Sequence, residues 1–160
     1  MKTGKLSSAS KAESKSKEIY KLKKVCIYCR VNSPKQADGS AERMESQIAR
    51  CKKAANLHNF TVVDEVRDFG KSSFEKVSNR RALNEIIERS RRGEFEAVVI
   101  PTLKVFSLNV EIANDIYEKI KETGAEVISD NDGEVDEKMM QKLKGAAIYG
   151  RMFGENDNQN

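Results

Sequence analysis

No apolar run in this sequence approaches the roughly 18 residues that a membrane-spanning helix needs, so a membrane protein is not expected. The lysine-rich start is not followed by an apolar stretch, which argues against a secretory signal and for an intracellular, cytoplasmic protein. Histidine occurs once, at His58, so neither a serine–histidine triad nor a histidine-based metal centre is expected. The three cysteines, Cys26, Cys29 and Cys51, suit a reducing compartment. Cys26 and Cys29 have the spacing of a redox or metal pair. They fall in a predicted strand, however, where alternation sends them to opposite faces, and no second Cys or His pair completes a zinc site. We read them as structural thiols and expect no metal and no cofactor.

A basic folded surface is also missing. The formal charge of +4 is carried by the N-terminus, where residues 1–24 hold eight lysines against Glu13 and Glu18. The remainder has 21 basic and 23 acidic residues, a balance of −2. A domain that grips DNA by itself normally presents a basic face. Residues 1–23, rich in Lys, Ser and Ala, are expected to be a disordered basic arm: a solubilising leader, with electrostatic contact to nucleic acid as the alternative.

What is present is an alternation of strands and helices over residues 24–153, one domain of ordinary size, followed by a polar tail over 154–160 expected to be disordered. Val25 to Val31 reads as a buried strand. Residues 40–57 read as an amphipathic helix capped by Ser40, with Ala41, Met44, Ile48, Cys51 and Ala55 inward. Phe60 to Val66 is a second strand and Asp68 to Val77 a loop. Asn79 is expected to cap a helix with Leu83, Ile86 and Ile87 inward, ended by Gly93. Ala97 to Pro101 is a wholly apolar strand, as a strand covered on both faces should be. A helix over Asn109–Glu122 stops at Gly124, and Ala125 to Ser129 is a fourth strand. Residues 134–149 are a last helix with Val135, Met139, Leu143 and Ala147 on one side, a stripe that serves either as core or as a dimer surface. The order implies an α/β fold, a three-layer sandwich around a mostly parallel central sheet, plus a C-terminal helix.

Reacting groups in such sheets gather at the carboxyl ends of strands. After the first strand the chain reads Tyr28-Cys29-Arg30-Val31-Asn32-Ser33-Pro34-Lys35-Gln36. This resembles the opening of serine site-specific recombinases of the resolvase/invertase family, Tyr-x-Arg-Val-Ser-Thr-x-x-Gln. Met44-Glu45-Ser46-Gln47 resembles that family's Leu-x-x-Gln. Asp68-Phe69-Gly70-Lys71-Ser72-Ser73 resembles Asp-x-x-x-Ser-Gly, and Asn79-Arg80-Arg81-Ala82-Leu83 resembles Asp-Arg-Pro-Ala-Leu. The resemblance runs from about Lys24 to Lys142. It implies a resolvase-like fold of bacterial or phage origin. It also implies a reaction in which a serine hydroxyl attacks a DNA phosphodiester, forming a 5′-phosphoserine linkage while the 3′-hydroxyl leaves, without metal or cofactor. Arginines would stabilise the crowded phosphate.

The chain departs from that pattern where the chemistry needs it. Asn32 occupies the nucleophile position, and an amide is not a nucleophile. Ser33, next to it, is the alternative nucleophile, but the gapless match places it on the neighbouring Ser/Thr position, and alternation aims it away from Arg30. After the third strand the family reads Lys-Leu-Asp-Arg-Leu-x-Arg, whereas this chain reads Thr102-Leu103-Lys104-Val105-Phe106-Ser107-Leu108. The aspartate has become Lys104, and the two arginines have become Val105 and Leu108. Losing one preorganised donor typically costs about a hundredfold to a thousandfold in rate. The retained pocket residues are Arg30, Gln36, Gln47, Asp68 and Arg80. Arg30 and Arg80 either hold a phosphate or pair with carboxylates such as Asp68.

The resemblance also implies a long final helix and a separate DNA-binding region. The polar residues from Gly154 offer no recognition helix, so sequence-specific DNA binding by this chain alone is not expected. Two readings stand: a recombinase-like domain silent in strand cleavage that associates with itself or with an active recombinase, or an active recombinase using Ser33. A receiver-type or small-ligand domain is disfavoured, because the first strand ends without paired acids and no Gly-x-x-x-x-Gly-Lys run occurs.

Overall fold

The computed structural model describes residues 23–70 and 77–153. The arm expected over 1–23, Lys23 excepted, the tail expected over 154–160, and the Lys71-Ser72-Ser73 part of the third motif lie outside the described residues. No helix among the described residues is long and apolar enough to cross a membrane.

Five strands form one sheet: β1 (Lys24–Val31), β2 (Thr61–Phe69), β3 (Ala97–Ile100), β4 (Glu126–Ser129) and β5 (Gly133–Val135). Their order is β2-β1-β3-β4-β5, parallel except for the antiparallel β4–β5 pair. The helices are α1 (Ser40–Leu57), α2 (Arg81–Arg91), α3 (Val110–Glu122) and α4 (Glu137–Phe153). Alternation along the strands splits the core in two. Val25, Ile27, Cys29 and Val31 of β1 face α1 through Met44, Ile48, Cys51 and Ala55. Cys26 and Tyr28 face the other way, into a larger core with Leu83 and Ile86 of α2 and Ile116 and Ile120 of α3. The two thiols of the Cys26–Cys29 run therefore lie on opposite faces, as strand geometry dictates. β1 is buried on both faces because it lies inside the sheet with helices packed on each side, and its β-branched and aromatic composition suits that position.

Several local expectations are corrected. Ser40 is not the N-cap of α1. Gly39 holds that position at φ +74°, and the buried Ser40 hydroxyl turns back to donate to the Lys35 and Ala37 carbonyls at 2.8 Å. Ala41 consequently faces solvent rather than the core. The second strand begins at Thr61 and runs three residues beyond Val66, because β1 continues alongside it and pairs Arg30 with Asp68 and Val31 with Phe69. Asp68 is thus a strand residue, not part of a loop.

Asn79 does not cap α2. It lies in a 3₁₀ turn over Val77–Asn79, and Arg80 occupies the cap position in extended conformation. The last helix starts at Glu137, not 134. Val135 belongs to β5, where ladder bonds to Val127 outcompete a first helical turn, and Asp136 Oδ1 accepts from Met139 N at 2.7 Å. Among the α4 residues whose side chains are described, Met140 is fully buried, Met139 is partly buried against the core, and Leu143 is exposed. Gly93 and Gly124 end α2 and α3 with positive φ, as anticipated.

A candidate phosphate-binding cleft

The chain leaves β1 toward β2 on one side and later returns to β3 on the other. The crevice between the carboxyl ends of β1 and β3 is therefore the topological switch point, where α/β sheets place their sites. A cleft of about 260 Å³ opens there. Arg30, Asn32 and Gln47 line one side, and Lys104, Val105 and Leu108 the other. The structure thus brings together six of the residues singled out in the sequence. Gln36 is exposed and lies outside the lining, as do Asp68 and Arg80.

Arg30 is held from three directions. Its guanidinium Nη1 donates to Asn32 Oδ1. Its plane lies so close over Gly70 that a β-carbon there would come within 2.7 Å of Nε. Its backbone is gripped by Gln47, which accepts from Arg30 N at 3.2 Å and donates to Arg30 O at 3.1 Å. β3 pairs with β1 only over Val25–Ile27, so Gln47 supplies, beyond the end of β3, the bonds a neighbouring strand would have made. Gln47 acts as a strand-end clamp for Arg30.

Arg80 sits behind the cleft, only 5% exposed. Its Nη2 donates to Tyr28 Oη at 2.6 Å and to Val105 O at 3.0 Å, and its Nη1 donates to Phe106 O. Tyr28 in turn donates to Asp68 Oδ2 at 2.6 Å, and Arg80 and Asp68 stand 3.8 Å apart as an ion pair. Burial holds the Tyr28 hydroxyl well above the usual phenol range, opposed by the neighbouring Arg80 charge, so it stays a donor. The chain Arg80–Tyr28–Asp68 ties α2, β1 and β2 to the segment after β3. The Arg80 Nη1 and Nη2 donors point into this network and not toward the cleft, while its buried Nε has no hydrogen-bond partner among the described residues.

Where the sequence departs from the resembled motif after β3, the Val105 side chain is 5% exposed and belongs to the core, Leu108 is 54% exposed at the rim, and Lys104 is exposed. Asn32 is exposed at the mouth. Ser33 is half-buried, and its hydroxyl accepts from Arg43 Nη2 at 2.9 Å. Arg43 and Thr102 also line the cleft and were not singled out in the sequence. Helical spacing could have found Arg43, which precedes Gln47 by four residues on the same face of α1. The lining holds Arg30, Arg43 and Lys104 and no carboxylate, so the cleft is locally cationic on a body whose charge is slightly negative. Such a site can hold an anion through guanidinium and ammonium donors.

Known proteins share this fold. The chain resembles the crystal structure of the N-terminal catalytic domain of TP901-1 integrase, at 23% identity and a TM-score of 0.65, over 82% of this chain and 99% of that one. A resolvase family site-specific recombinase from Streptococcus pneumoniae is similar at 25% identity and TM-score 0.65, over 86% and 93% of the two chains. The C-terminal catalytic domain of ISC1926 TnpA, an IS607-like serine recombinase, aligns at 19% identity and TM-score 0.57, covering 82% and 87%. No curated protein matches the chain. The family model described as "Resolvase, N terminal domain" matches residues 25–152, nearly the whole described body, and the chain belongs to that family.

Proposed function

We propose that this protein is a recombinase-type domain that does not cut DNA strands and acts by association, with a second copy of itself or with an active recombinase. The reading rests on one observation: the position where the family carries its serine is Asn32, whose amide oxygen accepts from Arg30. An amide so placed satisfies the guanidinium but offers no hydroxyl to attack phosphorus. The surroundings support the same reading. Val105 is packed into the core and Leu108 brings an apolar side chain to the rim, so the far wall lacks the rigid donor forks that would stabilise a pentacoordinate phosphate. The exposed Leu108 and Leu143 suit protein association better than strand exchange. The cationic lining suits loose, sequence-independent contact with a DNA backbone. Three free thiols suit a cytoplasmic setting.

Incubation with supercoiled plasmid should yield no nicked circle and no covalent protein–DNA product. Asn32→Ser alone should also yield none, because the arginine pocket remains incomplete. A covalent adduct formed by the unaltered chain would overturn the proposal. If that adduct were lost in Ser33→Ala, the second reading would take its place: an active recombinase whose nucleophile is Ser33, beside the Arg43 guanidinium. Association is tested by mixing the chain with an active recombinase and measuring the mass of the resulting species.

A further inference from the structure

On the sheet face that α1 covers, no other helix is packed among the described residues. The strip over β4 and β5 beside α1 is left as an open groove of about 360 Å³. Leu57, at the end of α1, is 77% exposed on its wall. His58 and Phe60 stack at 5.3 Å beside it, and Ile128 contributes to the floor. Glu126, Asp130 and Glu134 place three carboxylates in the lining against the single ammonium of Lys23. Arg50 offsets Asp130 from outside, and Lys23 offsets Glu126 at 2.8 Å, which leaves the exposed Glu134 carboxylate on β5 without a partner among the described residues. The chain enters the fold at this lip. Lys23 O accepts from Thr61 N at 2.8 Å, while its ammonium lies in the groove, 5.8 Å from the Phe60 ring centre.

We propose that this groove binds the segment of the same chain that precedes Lys23. Residues 1–22 carry six lysines against two glutamates, a charge opposite to that of the groove. The residues next to the lip are Ile19, Tyr20, Lys21 and Leu22, three large apolar side chains and one ammonium. At about 3.5 Å per residue, these four residues span about 14 Å when extended, so they can lie along the lining from the lip at Lys23. Apolar contact with Leu57 and Ile128, and a Lys21 ammonium against Glu134, would together cover the exposed side chains. Tethering favours this occupant over a second copy, because a short link holds the segment at about millimolar effective concentration. The contact is also autoinhibitory: a lysine held against Glu134 is not available to a phosphate, so a polyanion competes with the groove.

Limited trypsin digestion of the full chain tests this with an internal control. Lys5 and Lys21 are both followed by leucine, so their bonds present the same local chemistry to the protease. Leu57→Gln removes the apolar wall at an exposed site, and Glu134→Gln removes the free carboxylate. Each variant should cut after Lys21 about tenfold faster than the unaltered chain, with cutting after Lys5 unchanged. Duplex DNA at low salt should accelerate the Lys21 cut in the unaltered chain. Equal Lys21 rates in all three proteins would overturn the proposal, as would protection that arises only when DNA is added. Carbodiimide coupling should join a lysine of residues 1–22 to Glu126 or Glu134 within one chain. If an equal mixture of light and heavy isotope-labelled protein gave mixed-label products instead, the groove would belong to a second copy and the intramolecular assignment would fall.

Discussion

The side-chain amide of Gln47 satisfies both backbone polar groups of Arg30, accepting at 3.2 Å and donating at 3.1 Å. The relationship matters because it occurs where β3 has ended and β1 would otherwise show an unpaired edge to the cleft. Cutting the clamp leaves a half-buried N–H and C=O unsatisfied, at about 1–3 kcal/mol. Gln47→Ala should therefore lower the unfolding free energy by about that amount in urea titrations at constant m. Gln47→Glu should not rescue it at neutral pH, since its second oxygen would face the Arg30 carbonyl. Full stability in Gln47→Glu would show that the geometry of the pair is not what holds Arg30.

Arg80 is a structural cation. Its guanidinium satisfies Tyr28 Oη and the Val105 and Phe106 carbonyls, and faces Asp68 at 3.8 Å. Removing one partner of a buried charge network is costly, about 3–5 kcal/mol, because the others remain buried. Arg80→Met should cost that much, more than Tyr28→Phe. The double variant should fall short of the sum of the two, as residues sharing one network do. Affinity for inorganic phosphate or DNA, measured on whatever fraction stays folded, should be unchanged by Arg80→Lys. A large loss there would put Arg80 back in the cleft.

The fold was legible because periodicity carries it. The β-branched run before Asn32 and the 3.6-residue stripe of Met44, Ile48, Cys51 and Ala55 each fix an element and its inner face. What stayed hidden was decided by competition between neighbours. Gly133-Glu134-Val135 is too short to read as a strand alone and forms one only because Val127 lies opposite. Ser40 looked like a cap, yet Gly39 tolerates the left-handed backbone the turn requires and frees the serine for the Lys35 and Ala37 carbonyls. At the site, motif order singles out Arg30, Asn32, Lys104, Val105 and Leu108, and all five line one cleft. Spacing could not say that Gln47 faces backbone, that Arg80 turns inward, or that Gly70 seats the Arg30 guanidinium. These depend on where β2 and β3 end.

Gly70 and Arg30 should be energetically coupled. A β-carbon at position 70 would stand 2.7 Å from Arg30 Nε and 2.8 Å from Nη2, so the guanidinium must move. Arg30 is 6% exposed and has little free space to take up, and overpacking of this kind costs about 1–3 kcal/mol. Gly70→Ala should be destabilising by that amount in the unaltered chain and close to neutral in an Arg30→Ala background. Thermodynamic double-mutant cycles read the difference directly. Additive effects would mean that the guanidinium relocates freely and that Gly70 does not define its position.

The alkaline limb of stability should carry the signature of Cys26. Burial pushes this thiol up from 9.0 to about 12, with the Asp64 charge adding to the rise and Arg89 opposing it. Above pH 9 the unfolded chain releases this proton while the folded chain keeps it. The stabilisation is therefore fully present below pH 9 and is lost progressively as pH rises toward 12. One proton retained on folding corresponds to a slope of about 1.4 kcal/mol per pH unit in that window. Tyr28, also raised by burial, adds a loss of the same sign above the ordinary phenol range. Urea midpoints taken from pH 8 upward should fall in the unaltered chain. Cys26→Ala should start lower, because it leaves a small cavity in the core, and should then decline less steeply by about one proton's worth. An identical slope in the two proteins would mean that the Cys26 thiol ionises as readily in the folded chain as in the unfolded one, and that the core around it admits water.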